Sequence, residues 1–566
     1  MDNAAVAQVL FQIARALEYL NENPYRVSAY RKAAEAVMHL DEDVAELAVQ
    51  DRLAQIPGIG KTLSSRVRAW VMEHDFSDFQ EVISQLPPGF DELLKVPGLG
   101  FKRIRALQQE RGIGTVEDLL EALKEGRLSG MRAFPKKFLD SLPQALERVQ
   151  SYRGKCTLDR ALQAASDLQA KLSGLGLESV VTGQCRRGVE VVEAIELLVP
   201  GDEAILPGLA VSLEEPLAEM RGDTLFIPAR AGMPPVLLTA VARESLPVRL
   251  LLTTGSEGHI ESLRQRAAGA GIELTPEGVF RGGEAVEITD ERAVYGLLGL
   301  QELPPEVREG RPSELERAGS FTVPALIASG DIRGTIHNHS TYSDGMCTLS
   351  EMSGGAVRRG YAWIGISDHS RSASYAGGLD IDAVLRQHAE IDELNRTTGI
   401  AILKGIESDI LPDGSLDYPP EVLALFDFVV ASVHSGMDMD IKAMTKRIVR
   451  ALRNPFTSVL GHPTGRILLA REPYAVDMET VLDEALRHRV AVEINANPQR
   501  LDLDWRLVEP FTGAGGVIAL SPDAHTTAGL DDMRYGVMMG RKGFLTPEAC
   551  LNAWDTDRVR GFLRKS

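Results

Sequence analysis

The chain has 566 residues, a formal net charge of −19, 44% hydrophobic and 25% charged residues. That length is too great for one hydrophobic core and sets an expectation of about three to four domains. The acidic balance excludes a protein that grips a polyanion over its whole surface, so nucleic-acid binding would need local patches, backbone amides or metal ions. No uncharged apolar run approaches the roughly 18 residues of a membrane span, and the opening MDNAAVAQ lacks a basic signal-peptide start, so the expected location is the cytoplasm, away from any membrane. The four cysteines, Cys156, Cys185, Cys347 and Cys550, form no CxxC pair and are expected as reduced, mostly buried thiols.

Residues 1–155 read as helical. VAQVLFQIARALEYL and YRVSAYRKAAEAVMHL carry apolar residues at i, i+3, i+4. IPGIGKTLSSRVRAW, with Gly58, Gly60 and Lys61, and VPGLGFKRIRAL, with Gly98, Gly100 and Lys102, then repeat one frame. Each is a Pro-Gly-apolar-Gly turn that opens a helix with basic residues: Lys61, Arg66 and Arg68, then Lys102, Arg103 and Arg105. Glycine lets backbone N–H groups approach an anion at a helix N-terminus. One such turn is as well explained by a plain helix cap. Two in the same frame read as helix-hairpin-helix motifs that hold a DNA backbone without reading bases. A third segment, MRAFPKKFLDSL, lacks the glycines and reads as structure.

Residues 156–300 begin with the amphipathic helix LDRALQAASDLQAKLSGLG. ESVVTGQCRRGVEVVEAIELLVP reads as strand, glycine turn (Gly183 to Gly188) and strand, and TTGSEGH follows with Gly255, Ser256 and His259. Prolines and mixed charge over 301–333 predict an ordered connector.

From residue 334 one event recurs. A short apolar run ends, and at its end stands a His, Asp or Glu. GTIHNHSTYSDG supplies His337, His339 and Asp344; WIGISDHS supplies His369; AILKGIESD supplies Glu407. FVVASVHSG supplies His434, TSVLGHPTG supplies His462, and VIALSPDAH supplies Asp523 and His525. A seventh run, VAVEINAN, ends in Glu493, Asn495 and Asn497. Seven strands alternating with amphipathic helices predict a (β/α)7 barrel, with these side chains gathered at the C-terminal mouth. Nine such groups in one cavity would be very costly without neutralising charge, which predicts bound cations. Imidazole and carboxylate without thiolate suit Zn²⁺, Mn²⁺ or Fe. His39, His74, His388 and His488 sit in helical, charged patterns and read as structural.

Taken with these motifs, the chain resembles the bacterial family X DNA polymerases that carry a C-terminal polymerase-and-histidinol-phosphatase (PHP) domain. The resemblance spans nearly the whole sequence. It implies a multidomain α and α/β protein: a helix-hairpin-helix domain at 1–155, an α+β nucleotidyltransferase-like palm and thumb at 156–300, a connector at 301–333 and a distorted PHP barrel at 334–566. It implies that Gly183 and Arg187 meet a nucleotide's phosphates, and that Gly255 and Ser256 meet its sugar. The family's palm carries two aspartates spaced i, i+2, where this chain has Ala194 and Glu196, and a third near ESLPVRLLL, which has none. Nucleotidyl transfer needs two cations about 3.5–4 Å apart on shared carboxylates, which Glu196 alone cannot hold. Glu193 should face away from it, Glu190 should lie in the turn, and Glu244 is the remaining carboxylate nearby. The position of the family's Schiff-base lysine is Arg66, a poor nucleophile, so that activity should be absent or moved to a residue such as Lys61.

For the barrel the resemblance implies three divalent ions. His337, His339, Glu407 and Asp523 would hold the first, Glu407 with His434 and His462 the second, and Asp344, His369 and His525 the third. The surplus positive charge would draw in a phosphodiester despite the acidic surface. Arg500 and Asn495, and more weakly Arg466, would contact its phosphate. The expected activity is metal-dependent 3′-to-5′ nucleotide removal, or 3′-phosphate trimming, on gapped, nicked or recessed DNA in repair. His337, His339, Glu407 and Asp523 would be its catalytic residues. Three alternatives stay open: a Mn²⁺-dependent gap-filling polymerase using Glu196, a dNTP and Mg²⁺ or Mn²⁺ in the palm; a small-molecule phosphomonoesterase; and a scaffold with stabilising metals.

Overall fold

The computed structural model describes residues 3–38, 40, 42–56, 58–230 and 232–563. His39 lies outside them. The chain divides into two compact units, Met1–Arg153 and Gly154–Ser566. Among the described residues, no helix is long and apolar enough to cross a membrane.

The first unit is helical. Helices Asn3–Tyr19 and Pro24–Met38 share a core of Leu10, Ile13, Leu17, Tyr30 and Val37 with Leu63, Val67 and Trp70. A second core gathers Phe90, Leu93, Ile104, Leu107, Leu119 and Leu146. The two glycine turns adopt one geometry. Gly58 and Gly98 are left-handed at φ +84° and +81°. Gly60 caps helix Lys61–Arg68 at φ −80°, ψ 173°, and Gly100 caps helix Phe101–Arg111 at φ −83°, ψ 173°. MRAFPKKFLDSL runs into the plain helix Lys136–Ser151.

The second unit opens with a five-stranded sheet in the order Val180–Val181, Ile195–Pro200, Val236–Val241, Thr224–Ile227, Glu219–Arg221. Between its first two strands, Gly183–Arg187 winds into a helical turn instead of a plain loop. ESLPVRLLL, where a third acid was sought, forms a turn and helix Leu246–Thr254. The strand beside Ile195–Pro200 is Val236–Val241, and Leu237 stands opposite Glu196. A three-stranded antiparallel sheet, Ile272–Thr275, Gly278–Arg281 and Glu284–Val286, follows. The connector then forms helix Pro312–Ser320.

Residues 334–566 contribute seven parallel strands in sequential order: β1 (Gly334–Thr335), β2 (Trp363–Ile366), β3 (Ala401–Asp409), β4 (Phe428–Ser432), β5 (Val459–Leu460), β6 (Ala491–Asn495) and β7 (Ile518–Ser521). Alternation sends Leu403, Phe428, Val430, Val459, Ala491 and Ala519 into one apolar cluster, while Val429, Ala431, Leu460, Val492 and Leu520 join another. The Phe428 ring lies where side chains at Gly365 and Gly405 would stand, so those strand positions have room only for glycine. The seam between β1 and β7 is nearly closed. Asn338 bridges Ala524, and the Asn552 amide donates to the Gly334 and Leu520 carbonyls at 3.0 and 2.8 Å.

Candidate metal centre

All nine expected side chains meet at the C-terminal mouth of the barrel. Glu407 lies in the middle. Its Oε1 is 3.2 Å from His337 Nε2, 3.2 Å from His434 Nε2 and 3.0 Å from His462 Nε2. Its Oε2 is 2.9 Å from His369 Nδ1 and 3.8 Å from His339 Nε2. Asp523 Oδ1 lies 3.1 Å from His339 Nε2, and Asp344 lies 3.4 Å from His525 and 3.6 Å from His369. Donor atoms within 4.8 Å of one another fall into four overlapping groups. They are His339, Asp344, His369 and His525; His337, His462 and Asp523; His337, His339 and Glu407; and His369, Glu407 and His434. The groups share His337, His339, His369 and Glu407, and one of them contains Asp344, His369 and His525 together.

Three of these residues reach the mouth through left-handed backbone, His337 at φ 61°, His462 at φ 23° and Asp523 at φ 53°. Such strain costs about 1–3 kcal/mol per residue and persists only where the surroundings impose it. His337 Nε2, both ring nitrogens of His339, His369 Nδ1 and His462 Nδ1 are buried without an aligned hydrogen bond. Buried polar atoms are normally satisfied. Unsatisfied imidazole nitrogens converging with carboxylate oxygens fit divalent cations.

The electrostatics point the same way. Burial works to raise the Glu407 carboxyl, but His434, His337 and His369 hold it well below the usual range. Asp523 is held down likewise, against burial, by His337 and His339. Burial works against His369, His434 and His525, yet Glu407 and Asp344 lift His369 to about 10, Glu407 and Asp409 lift His434 to about 9, and Asp344 and Asp523 lift His525 to about 9. Burial and the neighbouring His525 push His339 down to about 4. The carboxylates thus demand positive charge, which protons supply and which divalent cations would supply with release of those protons.

Two carboxylates that the sequence did not single out as site residues orient this cage. Glu493 Oε1 is 2.6 Å from His337 Nδ1, and Glu493 Oε2 accepts the His462 amide. Asp409 Oδ1 is 2.5 Å from His434 Nδ1. Fixing the far ring nitrogen fixes the tautomer of the near one. Glu493 was visible only as a polar strand end. Asp409 was detectable, because it lies two residues beyond Glu407 on the same strand face.

The expected phosphate contacts need correction. Asn495 is fully buried and donates to Asp523 Oδ2 at 3.1 Å, so it holds an acid of the cage. Arg466 donates to the Arg500 and Leu501 carbonyls and faces Glu190 at 3.7 Å, so it braces the rim. Arg500 stays at the mouth, 3.7 Å from Asp523. His74, His388 and His488 take no part: His74 ends a helix, His388 packs edge-on against Phe426, and His488 meets Glu484.

In the first unit, space is open around Gly60 and Gly100. Lys61 and Lys102 are exposed, and neither has a partner among the described residues. Their arginine neighbours are engaged. Arg66 pairs with Asp78 at 3.2 Å, Arg68 with Asp51 at 3.4 Å, Arg103 with the Gly98 and Ala133 carbonyls, and Arg105 with the Glu18 and Tyr19 carbonyls.

The palm residues are engaged too. Arg186 makes a two-pronged pair with Glu291 at 2.9 and 2.6 Å. Arg187 donates to the Thr254 carbonyl at 2.7 Å and to Glu309 at 3.2 Å. Ser256 caps helix Glu257–Gly269, and Gly255 packs against Ile260 and His259. Glu196 is raised by burial, against Arg187, and its carboxylate presses on Gly183, where any side chain would collide with it. Glu193 pairs with Lys155 at 2.7 Å, Glu190 faces Arg466, and Glu244 is exposed.

Family models match along the chain: a helix-hairpin-helix domain at 1–76, a SAM-like helix-hairpin-helix tandem at 90–137, a DNA polymerase beta thumb at 249–309 and a PHP domain at 335–497. The chain is 33% identical to the DNA polymerase/3′-5′ exonuclease PolX of Bacillus subtilis, covering 100% of both. A probable phosphatase of Thermoanaerobacter sp. is 28% identical over 41% of this chain and 92% of its own length. Another from Caldanaerobacter subterraneus is 31% identical over 28% of this chain and 60% of its own. The chain belongs to the bacterial family X DNA polymerases with a C-terminal PHP domain.

Proposed function

We propose that this protein is a cytoplasmic DNA-repair enzyme whose working centre is the barrel, a metal-dependent phosphoesterase that removes nucleotides 3′ to 5′ or trims a 3′ phosphate. The observation that carries this reading is the convergence of nine His, Asp and Glu side chains with unsatisfied buried ring nitrogens. His337, His339, Asp344, His369, Glu407, His434, His462, Asp523 and His525 would hold the ions, with Glu407 shared. Divalent ions bound there would supply hydroxide at neutral pH and offset the charge on the phosphodiester. Glu493 and Asp409 keep the imidazoles turned inward, and Arg500 stands ready to meet a phosphate oxygen. Residues 1–155 would hold gapped, nicked or recessed DNA through the amides at Gly58, Gly60, Gly98 and Gly100 and through Lys61 and Lys102.

The palm and thumb, 156–300, with the connector 301–333, would serve as scaffold. Glu196 faces Leu237 with no second acid beside it among the described residues, and Arg186 and Arg187 are bound to glutamates. The printed name of the Bacillus relative favours a second reading, in which the palm still polymerises with Mn²⁺ through Glu196. One assay decides between them. On a recessed primer with dNTPs and Mn²⁺, the expected outcome is shortening without extension. Template-directed extension that Glu196→Ala abolishes would establish the second reading. A phosphomonoester turned over far faster than the DNA end would replace both with a small-molecule phosphatase.

A further inference from the structure

We infer that Tyr375 is a stacking platform for the terminal nucleobase of the substrate, an inference that rests on the nuclease reading above. Tyr375 is 71% exposed, and its ring centroid stands 6.1 Å from His369 and 6.4 Å from His434. A large aromatic so placed contributes nothing to the core, and its hydroxyl bonds to no described residue.

The backbone beneath it is nevertheless fixed. Ser372 N–H and Arg371 both donate to Asp417, at 2.7 and 3.3 Å. Ser372 Oγ donates to Asp409 at 2.9 Å, the carboxylate that also holds His434. On the far side, Leu379 N–H donates to the His369 carbonyl at 2.9 Å, and Gly378 lies so close to the Ser370 carbonyl that no side chain would fit. The loop that presents the ring is therefore tied to the residues that set the cage. A rigid backbone with a free aromatic face is preorganised for a flat ligand.

A base is joined to its 5′ phosphorus through one sugar, and the ring stands about one sugar away from the imidazoles. Arg500 supplies positive charge on the Asp523 side. A phosphate over the cage would leave the base of the departing nucleotide beside Tyr375. Stacking of this kind tolerates every base, which suits an enzyme that degrades DNA without regard to sequence.

The test compares two 3′-recessed duplexes, one ending in a deoxyadenosine residue and the other in an abasic tetrahydrofuran residue. The wild type should show a KM lower for the base-bearing end by about 5- to 150-fold. Tyr375→Ala should raise that KM to the abasic value and leave kcat and abasic-end cleavage unchanged, whereas Tyr375→Phe and Tyr375→Trp should keep the preference. A Tyr375→Ala enzyme that still favours the base-bearing end, or a wild type with equal KM for both, overturns the inference and leaves the nuclease reading standing. A wild type that degrades neither duplex yet hydrolyses a free phosphomonoester overturns the nuclease reading, and this inference with it.

Discussion

A carboxylate in contact with five imidazoles, as Glu407 is, draws its properties from its neighbours, and they draw theirs from it. The same holds one layer out. Glu493 keeps the His337 ring in one tautomer and satisfies the His462 amide, so Glu493→Ala frees one ring and orphans one buried N–H. Loss of such an orienting partner typically costs about 10–100-fold in metal affinity. Titration of the stripped Glu493→Ala protein with Mn²⁺ or Zn²⁺ should show that loss with the helical content unchanged; an affinity equal to wild type would show that Glu493 is idle. At this scale the sequence was most legible where residue type is rare and chemistry-bearing, as for the six clustered histidines. It was least legible for arginine. Arg103, Arg105 and Arg187 were read as facing phosphate, yet they turn inward to carbonyls and Glu309, because charge alone does not say whether a long side chain folds back on its own backbone.

The hairpin turns share one backbone geometry, and each leaves a lysine exposed. Lys61→Glu with Lys102→Glu should weaken binding of any DNA duplex about equally and reduce the slope of log K against log salt by about one unit per lost phosphate contact. An unchanged slope in a filter-binding or anisotropy titration would remove the hairpins from the interface. Helix Met533–Lys542 carries a second test. Asp532, at its N-terminus, is raised to about 7 by burial and by Asp159 and Asp531, against Arg534. Its folded-state pKa exceeds the ordinary 3.8, so folding favours the protonated form. The group therefore costs nothing below about pH 4, and its penalty grows as pH rises to about 7. Asp532→Asn should raise the melting temperature at pH 8 and leave it nearly unchanged at pH 4, and the reverse order would show that the carboxylate is stabilising.

The barrel strands were legible because β-branched runs end at ligands, even where the strand itself is as short as Gly334–Thr335. ESLPVRLLL winds into helix Leu246–Thr254, and a short apolar run of this kind does not reveal its period in sequence.

Across the second unit, ion pairs join palm, thumb, connector and barrel, and those of Arg308 and Lys542 are buried. Arg308 and Arg186 share Glu291, Lys542 and Arg187 share Glu309, and Arg311 and Arg317 share Glu509. Removing one partner of a buried pair costs far more than the pair contributes. Arg187, which the family resemblance assigns to a nucleotide, is here engaged with Glu309, which no local motif reveals, because that partner lies 122 residues away.

On the proposed function, these nine side chains hold cations that cleave DNA at its 3′ end. Release of mononucleotides from a 3′-recessed duplex tests it most directly, measured on protein stripped with a chelator, on the same protein reloaded with Mn²⁺, and on reloaded Asp523→Ala. The expected outcomes are no release, restored release and no release, in that order. Release by the stripped protein, or by Asp523→Ala at the wild-type rate, would contradict it.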